Sequence, residues 1–247
     1  MPVIDYQLWA GPAKQWGTAD DDPVLYDVGI HALAKRNLVN EYEVANELIA
    51  LTLGQALGLP IPSGFPVSID SHRYFCSMIV AQTGDRLPPG DAKIAVASNE
   101  FLCTGTVVFD AWIGNFDRHR RNFHFDEEDN RLYLIDHGNS LFGENGASRL
   151  ADLKGKIGIY ASAHDIAREM KGWQHFDEWE GRIRELPEYQ IRNAIEAASD
   201  DIDLIEQNAC IDFLLSRRTQ LRDLFVDAQN DPDVFPKAGS TLFTIEK

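Results

Sequence analysis

The most informative segment of this chain, the deciding stretch, is Asp117-Arg118-His119-Arg120-Arg121-Asn122, followed after a charged turn by Leu132-Tyr133-Leu134-Ile135-Asp136-His137-Gly138. Two short strands are predicted, at residues 122–125 and 132–135, and a hairpin between them would bring Asn122 close to Asp136. Gly138 would then let the chain turn away from the strand. Carboxylate and amide oxygens are the ligands that Mg²⁺ prefers, and a carboxylate can accept a hydroxyl proton. The stretch therefore predicts a phosphoryl-transfer site built from Asp117, Asn122 and Asp136.

The other residues of this stretch leave several interpretations open. Arg118 either contacts phosphate or structures the loop, and His119 is interpreted as a hydrogen-bonding organiser of the loop. His124 and His137 could join the two aspartates as metal ligands, but no HExxH pattern or helical His pair supports zinc. A surface hairpin with solvated charges is the plain structural alternative.

The composition is typical of a soluble globular protein. The chain has 247 residues, 44% of them hydrophobic and 25% charged, so it can bury a core as one large domain or two small lobes. No run approaches the roughly 18 apolar residues that cross a bilayer, and no signal peptide is evident, so we expect no membrane partner. The net charge of -16 argues against direct nucleic-acid binding. Three widely spaced cysteines predict a reduced, cytoplasmic protein.

The part of the chain before the deciding stretch is predicted to be small and rich in strands. Strands are expected at residues 23–28 and 31–35, and a hairpin is expected from residues 64–70 and 74–80. Between them the apolar spacing predicts a helix at residues 39–57, which Gly58 ends. Residues 82–91, rich in Pro and Gly, are the best candidate for a linker.

The remainder is predicted to be mostly helical. One long helical stretch is expected at residues 92–116, and further helices are expected at residues 165–171, 176–185, 188–198 and 202–228. The chain is therefore assigned to the α+β class, with an N-terminal lobe at residues 1–82, a helical lobe at 83–230 and an irregular tail at 231–247. A nucleotide would be expected in the cleft between the lobes.

The deciding residues resemble a known family. IGNFDRHRRN at residues 113–122 and LIDHG at 134–138 look like the catalytic core of HipA-like serine/threonine kinases, and phosphatidylinositol 3- and 4-kinases are more distantly similar. Asn46-Glu47 followed by LIALTLGQALGLPIP is similar to the family's helix ending in LGL-x-(V/I)-P. DFLLSRRTQL at residues 212–221 looks like its closing helix. The resemblance covers roughly residues 31 to 225.

This resemblance implies a bilobal protein-kinase-like fold, with a small strand-rich N-lobe, a larger helical C-lobe, and ATP and Mg²⁺ between them. The roles that it implies are a catalytic base at Asp117, metal ligands at Asn122 and Asp136, an ATP-phosphate lysine at Lys35, and a helix carboxylate at Glu47 that pairs with this lysine. On the helical wheel Glu47 lies at the border of the apolar face, where it could point towards a buried lysine. Glu41 and Glu43 compete for the same role.

The chain also departs from the family pattern. No glycine-rich phosphate loop is obvious, and residues 11–22 are the only candidate. His137 stands where lipid kinases usually have Phe. The function predicted is an ATP-dependent kinase that acts on a protein Ser/Thr hydroxyl, with a protein substrate that the sequence does not identify. A small-molecule or lipid kinase, a nucleotide-binding pseudokinase and a metallohydrolase are the alternatives.

Overall fold

Four antiparallel strands form the first sheet, in the order β1-β2-β4-β3. They are β1 (Ile4–Gln7), β2 (His31–Arg36), β3 (Gly64–Ile69) and β4 (His72–Met78). The computed structural model describes residues 4–7, 31–38, 40–78, 89–142, 164–237 and 245. The candidate phosphate loop at 11–22, the strand predicted at 23–28 and residues 82–88 of the predicted linker lie outside the described residues.

The predicted hairpin of β3 and β4 is confirmed, with a tighter turn than the sequence indicated. Only Asp70 and Ser71 separate the strands, and both have positive φ values, 48° and 64°. This is the conformation that two-residue hairpin loops require, because it matches the twist of the flanking strands. The strand predicted at 31–35 is also confirmed, as β2. Its two faces differ: Ala32 and Ala34 pack in a small apolar cluster, whereas Lys35 points to the other side.

The helix predicted at residues 39–57 begins four residues later. Helix α1 spans Glu43–Leu57, and Gly58 ends it with a φ of 82°, as expected. The residues before it form a turn in which side chains take the backbone N–H groups: Asn40 Oδ1 accepts from Tyr42, and Asn37 Oδ1 accepts from Val44. This side-chain competition with the helical bonds is typical of asparagine, and it delays the start of the helix.

The long helix predicted at residues 92–116 is wrong, because the chain breaks at Asn99. Two helices replace it, α2 (Ala92–Ser98) and α3 (Glu100–Ile113). Asn99 has a non-helical φ of -147° and its side chain accepts the N–H of Leu102, so it caps the second helix. Asp91 caps the first helix in the same way. Apolar periodicity continues across this break, which is why it indicated a single helix.

The second sheet is the predicted hairpin of the deciding stretch. Strands β5 (Phe123–Asp126) and β6 (Arg131–Leu134) pair antiparallel, with His124 opposite Tyr133. Four helices follow after the undescribed residues 143–163: α4 (Asp165–Glu169), α5 (Phe176–Glu185), α6 (Glu188–Glu196) and α7 (Leu204–Ala228). All four were predicted, and their starts differ from the predicted ones by two residues at most.

One large core joins α1 to the C-terminal helices. Helix α1 packs against α6 and the first sheet, and α3 packs against α5 and α7. A Cβ on Gly105 would lie 2.3 Å from the Trp179 ring, so this glycine allows α3 and α5 to approach closely. The Trp112 indole N–H donates to Leu214 O at 2.9 Å and ties α3 to α7. The α+β fold class is confirmed, while the domain limits at residues 82 and 230 stay predictions.

Two further observations bear on the setting of the protein. Cys76, Cys103 and Cys210 are all buried free thiols. Within the described ranges, every helix is too short or too polar to cross a membrane.

Candidate active site

Lys35 lies at the meeting point of the first sheet, helix α1 and the loop after β6. Its Nζ donates to Glu47 Oε1 at 2.6 Å and to Asp136 Oδ1 at 2.9 Å. Asp136 lies 101 residues further along the chain, so only the tertiary fold brings these two side chains together. The ion pair with Glu47 is the one that the family resemblance implied.

Burial and charge oppose one another in this cluster. Burial by itself would lower the pKa of Lys35, but the carboxylates of Glu47 and Asp136 outweigh it and raise that pKa above its ordinary value. Burial would likewise raise the pKa of Glu47, but Lys35 and then His137 hold it well below the usual range. Lys35 is therefore a cation and Glu47 an anion at neutral pH.

Asp117, Asn122 and Asp136 are connected through short backbone and side-chain contacts. Asn122 Nδ2 donates to Asp117 O at 2.6 Å, and Asn122 O accepts from Ile135 N at 3.1 Å, next to Asp136. The Asp117 carboxylate accepts from Asn139 Nδ2 at 3.0 Å, and its side chain keeps 32% of its surface exposed. The structure thus places all three residues predicted from the sequence around one loop region.

Asp136 and Gly138 contribute to the chain reversal after β6 in different ways. Asp136 has a φ of 61°, in the left-handed region, whereas the positive-φ glycines among the described residues are Gly58 and Gly114. Gly138 is needed for a different reason, since a Cβ there would lie 2.8 Å from Glu43 Cγ. The chain does turn at Gly138, since Ser140 N donates to His137 O at 2.9 Å, but this turn does not require a positive φ there. This glycine allows α1 to approach the loop.

Arg118 is fully buried, and its guanidinium bonds only to protein groups. Nε and Nη2 donate to the two oxygens of Asp110 at 2.8 and 3.0 Å, and Nη1 donates to the carbonyls of Asn122 and Ile135, both at 2.5 Å. Burial by itself would raise the pKa of Asp110, but Arg118 and His164 hold it well below the usual range. Of the two sequence interpretations, this geometry favours the one in which Arg118 structures the loop.

The buried network extends to His164, which no sequence pattern indicated as a functional residue. His164 Nδ1 accepts the N–H of Ala167, which assigns a ring proton to Nε2, and Nε2 faces Asp110 Oδ2 at 3.2 Å. The next residue, Asp165, accepts the N–H of Arg120 at 2.6 Å and donates its own to Arg118 O at 2.9 Å. Helix α4 therefore supports the Asp117–Asn122 loop from its outer side.

The histidines in this region have distinct surroundings. His119 Nδ1 accepts the N–H of Arg121, and Nε2 lies 3.8 Å from Asp117 Oδ1, beyond hydrogen-bond distance. His137 is fully buried, and its Nδ1 lies 3.6 Å from Glu47 Oε2. Burial and the nearby Arg118 lower the pKa of His137, despite the opposing effect of Glu47. The described residues contain no group of three or more His, Cys, Asp or Glu that could hold a metal ion.

Two buried asparagines hold the loop after Asp136, and Asn139 reaches the predicted base. Asn40 Nδ2 and Asn46 Nδ2 each donate to both Gly138 O and Phe142 O, at 2.7 to 3.0 Å. Asn46 belongs to the Asn-Glu pair of the family resemblance, but its hydrogen bonds to the loop after Asp136 were not predicted. The position of Asn139, three residues after Asp136, was the only signal in the sequence for its contact with Asp117.

Glu43 is a further carboxylate that the sequence analysis considered only as a competitor of Glu47. It lies one helical turn before Glu47, on the same face of α1, and it is 7% exposed. Burial raises the pKa of Glu43 to about 7; Lys35 opposes this, and the carboxylates of Asp136 and Glu47 add to it. The spacing Glu43-x-x-x-Glu47, which places both glutamates on one face of the helix, was the sequence signal that could have identified Glu43.

The raised pKa of Glu43 predicts a pH-dependent effect of a Glu43→Gln substitution on stability. The ordinary pKa of 4.5 applies in the unfolded chain and about 7 in the fold, so the folded protein holds the proton more tightly between these values. The protonated Glu43 side chain contributes fully to the free energy of unfolding below pH 4.5. This contribution is lost as the pH rises through about 7, because a buried anion then forms. We expect Glu43→Gln to raise the melting temperature, relative to wild type, more at about pH 8 than at about pH 5.

Melting curves at the two pH values, without nucleotide or divalent cation, measure this effect. Glu41→Gln, which removes the exposed carboxylate two residues earlier, is the matched control. A Glu43→Gln difference that is the same at both pH values would contradict the assignment.

The oxygens left open in this site fit a divalent cation. Within the described part of the chain, no hydrogen bond engages Asn122 Oδ1 or Asp136 Oδ2, although both residues are otherwise held by protein contacts. Amide and carboxylate oxygens are hard donors that suit Mg²⁺. The donor set and the cationic Lys35 beside it therefore fit a metal-bound polyphosphate.

Comparison with known proteins supports a kinase-like fold. No family model and no curated protein matches this chain. The chain is similar to the Helicobacter pylori proinflammatory kinase CtkA, with a TM-score of 0.61 and 16% identity over 90% of this chain and 96% of that one. It is also similar to a chain of the Shewanella oneidensis toxin–antitoxin complex of HipA, HipB and operator DNA, with a TM-score of 0.42 and 14% identity over 88% of this chain and 67% of that one. The kinase-like fold implied by the HipA-like resemblance is confirmed by the first similarity, which shows the fold alone.

Proposed function

We propose that this chain is an ATP- and Mg²⁺-dependent phosphotransferase that acts on a Ser or Thr hydroxyl of a protein in the cytoplasm. One observation carries the proposal: Lys35 Nζ lies between Glu47 and Asp136, at the junction of sheet, helix and loop. In a kinase, a strand lysine paired with a helix glutamate binds the nucleotide phosphates, and an Asp-x-Gly aspartate holds the metal. The kinase-like fold is consistent with this assignment.

Each residue has a role that its surroundings suit. Asp117, a third exposed, accepts the proton of the attacking hydroxyl, and Asn139 holds its carboxylate in place. Asn122 and Asp136 are the residues that would hold Mg²⁺, and Lys35 would hold the phosphates. When bound, ATP would supply the γ-phosphoryl group, and Mg²⁺ would neutralise part of the phosphate charge. Arg118 and Glu47 are positioning residues, because their bonds fix the loop and the lysine.

Incubation of the full chain with γ-labelled ATP, Mg²⁺ and cell lysate tests the proposal. We expect a labelled protein band that depends on both Mg²⁺ and the chain. A thermal shift with ATP–Mg²⁺ and no labelled product would favour a pseudokinase. Label in lipid or in a small molecule would show that the acceptor is not a protein. Tight zinc binding without any nucleotide effect would favour a metallohydrolase.

Replacement of Lys35 by methionine is expected to lower phosphoryl transfer by about 10²–10³-fold, because a preorganised donor to the charged phosphates is lost. Initial rates of label transfer at saturating Mg²⁺ measure the effect. Arg36→Met is the matched control, since Arg36 is the next residue of β2 and lies over the Tyr74 ring, 5.9 Å from its centroid, on the opposite face. Equal losses in the two variants would contradict the role of Lys35.

A further inference from the structure

Arginines of this acidic protein are mostly neutralised by carboxylates. The chain carries a net charge of -16, so acidic partners are abundant. Seven arginines of the described residues lie within ion-pair distance of an Asp or Glu: Arg73, Arg118, Arg131, Arg182, Arg184, Arg192 and Arg222. Of the others, Arg36 lies over the Tyr74 ring, and Arg217 and Arg218 donate to backbone carbonyls. An exposed arginine whose guanidinium engages no carboxylate, ring or carbonyl of the described residues is therefore informative.

Arg120 and Arg121 are such residues, and they lie three and four positions after Asp117. Both side chains are exposed, and no carboxylate of the described residues pairs with either guanidinium. Their backbone, in contrast, is held: Arg120 N donates to Asp165 Oδ2, Arg121 N donates to His119 Nδ1, and Arg120 O accepts from Gly90 N at 2.9 Å. The pair is therefore presented to solvent from a fixed loop.

Two carboxylates adjoin this pair, and neutral N–H donors hold them without removing their charge. The Asp165 carboxylate is engaged by the Arg120 N–H, and the Asp117 carboxylate by Asn139. His119, with 42% of its side chain exposed, is the other titratable group of the loop that faces them. An acceptor segment that brings its hydroxyl to Asp117 would lie along the same loop as these two exposed guanidinium groups, which attract negative charge.

We propose that Arg120 and Arg121 select the acceptor of the transfer reaction, by binding acidic residues next to the target Ser or Thr of a peptide segment. This inference rests on the proposed function. Guanidinium groups bind carboxylates through paired N–H donors, and two adjacent ones suit carboxylates spaced along an extended chain. Both arginines are exposed at the surface, whereas sites for small molecules are concave and bury most of their ligand. A protein segment is therefore the acceptor that fits.

Binding of three fluorescent peptides tests the inference without requiring catalysis. Each has one Ser, and its flanking residues are Glu in the first peptide, Gln in the second and Lys in the third. The full chain is expected to bind the Glu peptide most tightly, by fluorescence anisotropy at low ionic strength, and added salt should weaken that binding. Arg120→Gln/Arg121→Gln should weaken binding of the Glu peptide by about 3- to 30-fold, as the loss of two exposed ion pairs allows.

Arg184→Gln/Arg192→Gln is the matched control, because it removes the same charge from exposed helix positions. Equal binding of the Glu and Gln peptides to the wild type, or equal losses in the two double variants, would overturn the inference. The same peptides with γ-labelled ATP then separate the two proposals. Transfer without any charge preference would overturn the inference and keep the kinase. Charge-dependent binding without transfer to any acceptor would overturn the proposed kinase activity and would leave Arg120 and Arg121 as a binding site for acidic peptides.

Discussion

An Asp117→Asn variant is expected to lose phosphoryl transfer by about 10²–10⁴-fold, because the amide cannot accept the hydroxyl proton. Its fold should persist, since the side chain is a third exposed and makes one side-chain hydrogen bond of normal length, to Asn139 Nδ2. Nucleotide binding should persist as well, because Lys35, Asn122 and Asp136 are unchanged. Label transfer and the thermal shift with ATP–Mg²⁺ measure the two properties on one protein preparation.

Asp129→Asn is the matched control for this loss. Asp129 lies in the turn between β5 and β6 with 60% of its side chain exposed, and we expect its transfer rate to stay within about twofold of wild type. An Asp117→Asn variant that transfers phosphate at the wild-type rate would remove Asp117 from the mechanism. A variant that loses the nucleotide shift along with transfer would instead indicate a role in binding.

An Arg118→Met variant is expected to lower the free energy of unfolding by about 3–5 kcal/mol, because it leaves a buried charge without its partner. Asp110 is fully buried, and it would keep the hydrogen bond from Asn115 Nδ2 and the His164 ring, whose Nε2 lies 3.2 Å away. Two loop carbonyls, of Asn122 and Ile135, would also lose their donor. Chemical denaturation at neutral pH measures the loss.

The pH dependence of the same variant gives an independent readout. In the wild type the depressed pKa of Asp110 contributes stability above its unfolded pKa of 3.8, and this contribution is lost as pH falls through the folded value. Arg118→Met removes the main cause of the lowered Asp110 pKa. The difference in free energy of unfolding between the wild type and the variant should therefore decrease as the pH falls below about 4.

Two further variants separate the buried charge from other effects of losing an arginine. Arg192→Met, at an exposed pair with Glu188, is expected to cost less than about 1 kcal/mol. An Asp110→Leu/Arg118→Met double variant should recover part of the stability, because an apolar pair leaves no buried charge. A single Arg118→Met variant as stable as Arg192→Met would contradict the structural role of Arg118.

Local signals predicted most of the elements. Alternating residues and turn residues predicted both hairpins, and Gly58 predicted the end of α1, because these features depend on neighbours within a few residues. The break at Asn99 and the late start of α1 were missed for a related reason. At both places an asparagine side chain accepts a hydrogen bond from a backbone N–H in place of a helical carbonyl. The spacing of the apolar residues gives no indication of this replacement.

The order Asp117, Asn122, Asp136 and the residue types that phosphoryl transfer needs are readable in the amino-acid sequence. Tertiary packing places Lys35 between Glu47 and Asp136, buries Arg118 on Asp110, and brings Glu43 and Asn139 into the same site. The physical reason is that spacing along the chain encodes local geometry and chemistry. Burial, ion pairing and pKa, in contrast, arise from groups that lie far apart along the chain, as Lys35 and Asp136 do at 101 positions from one another.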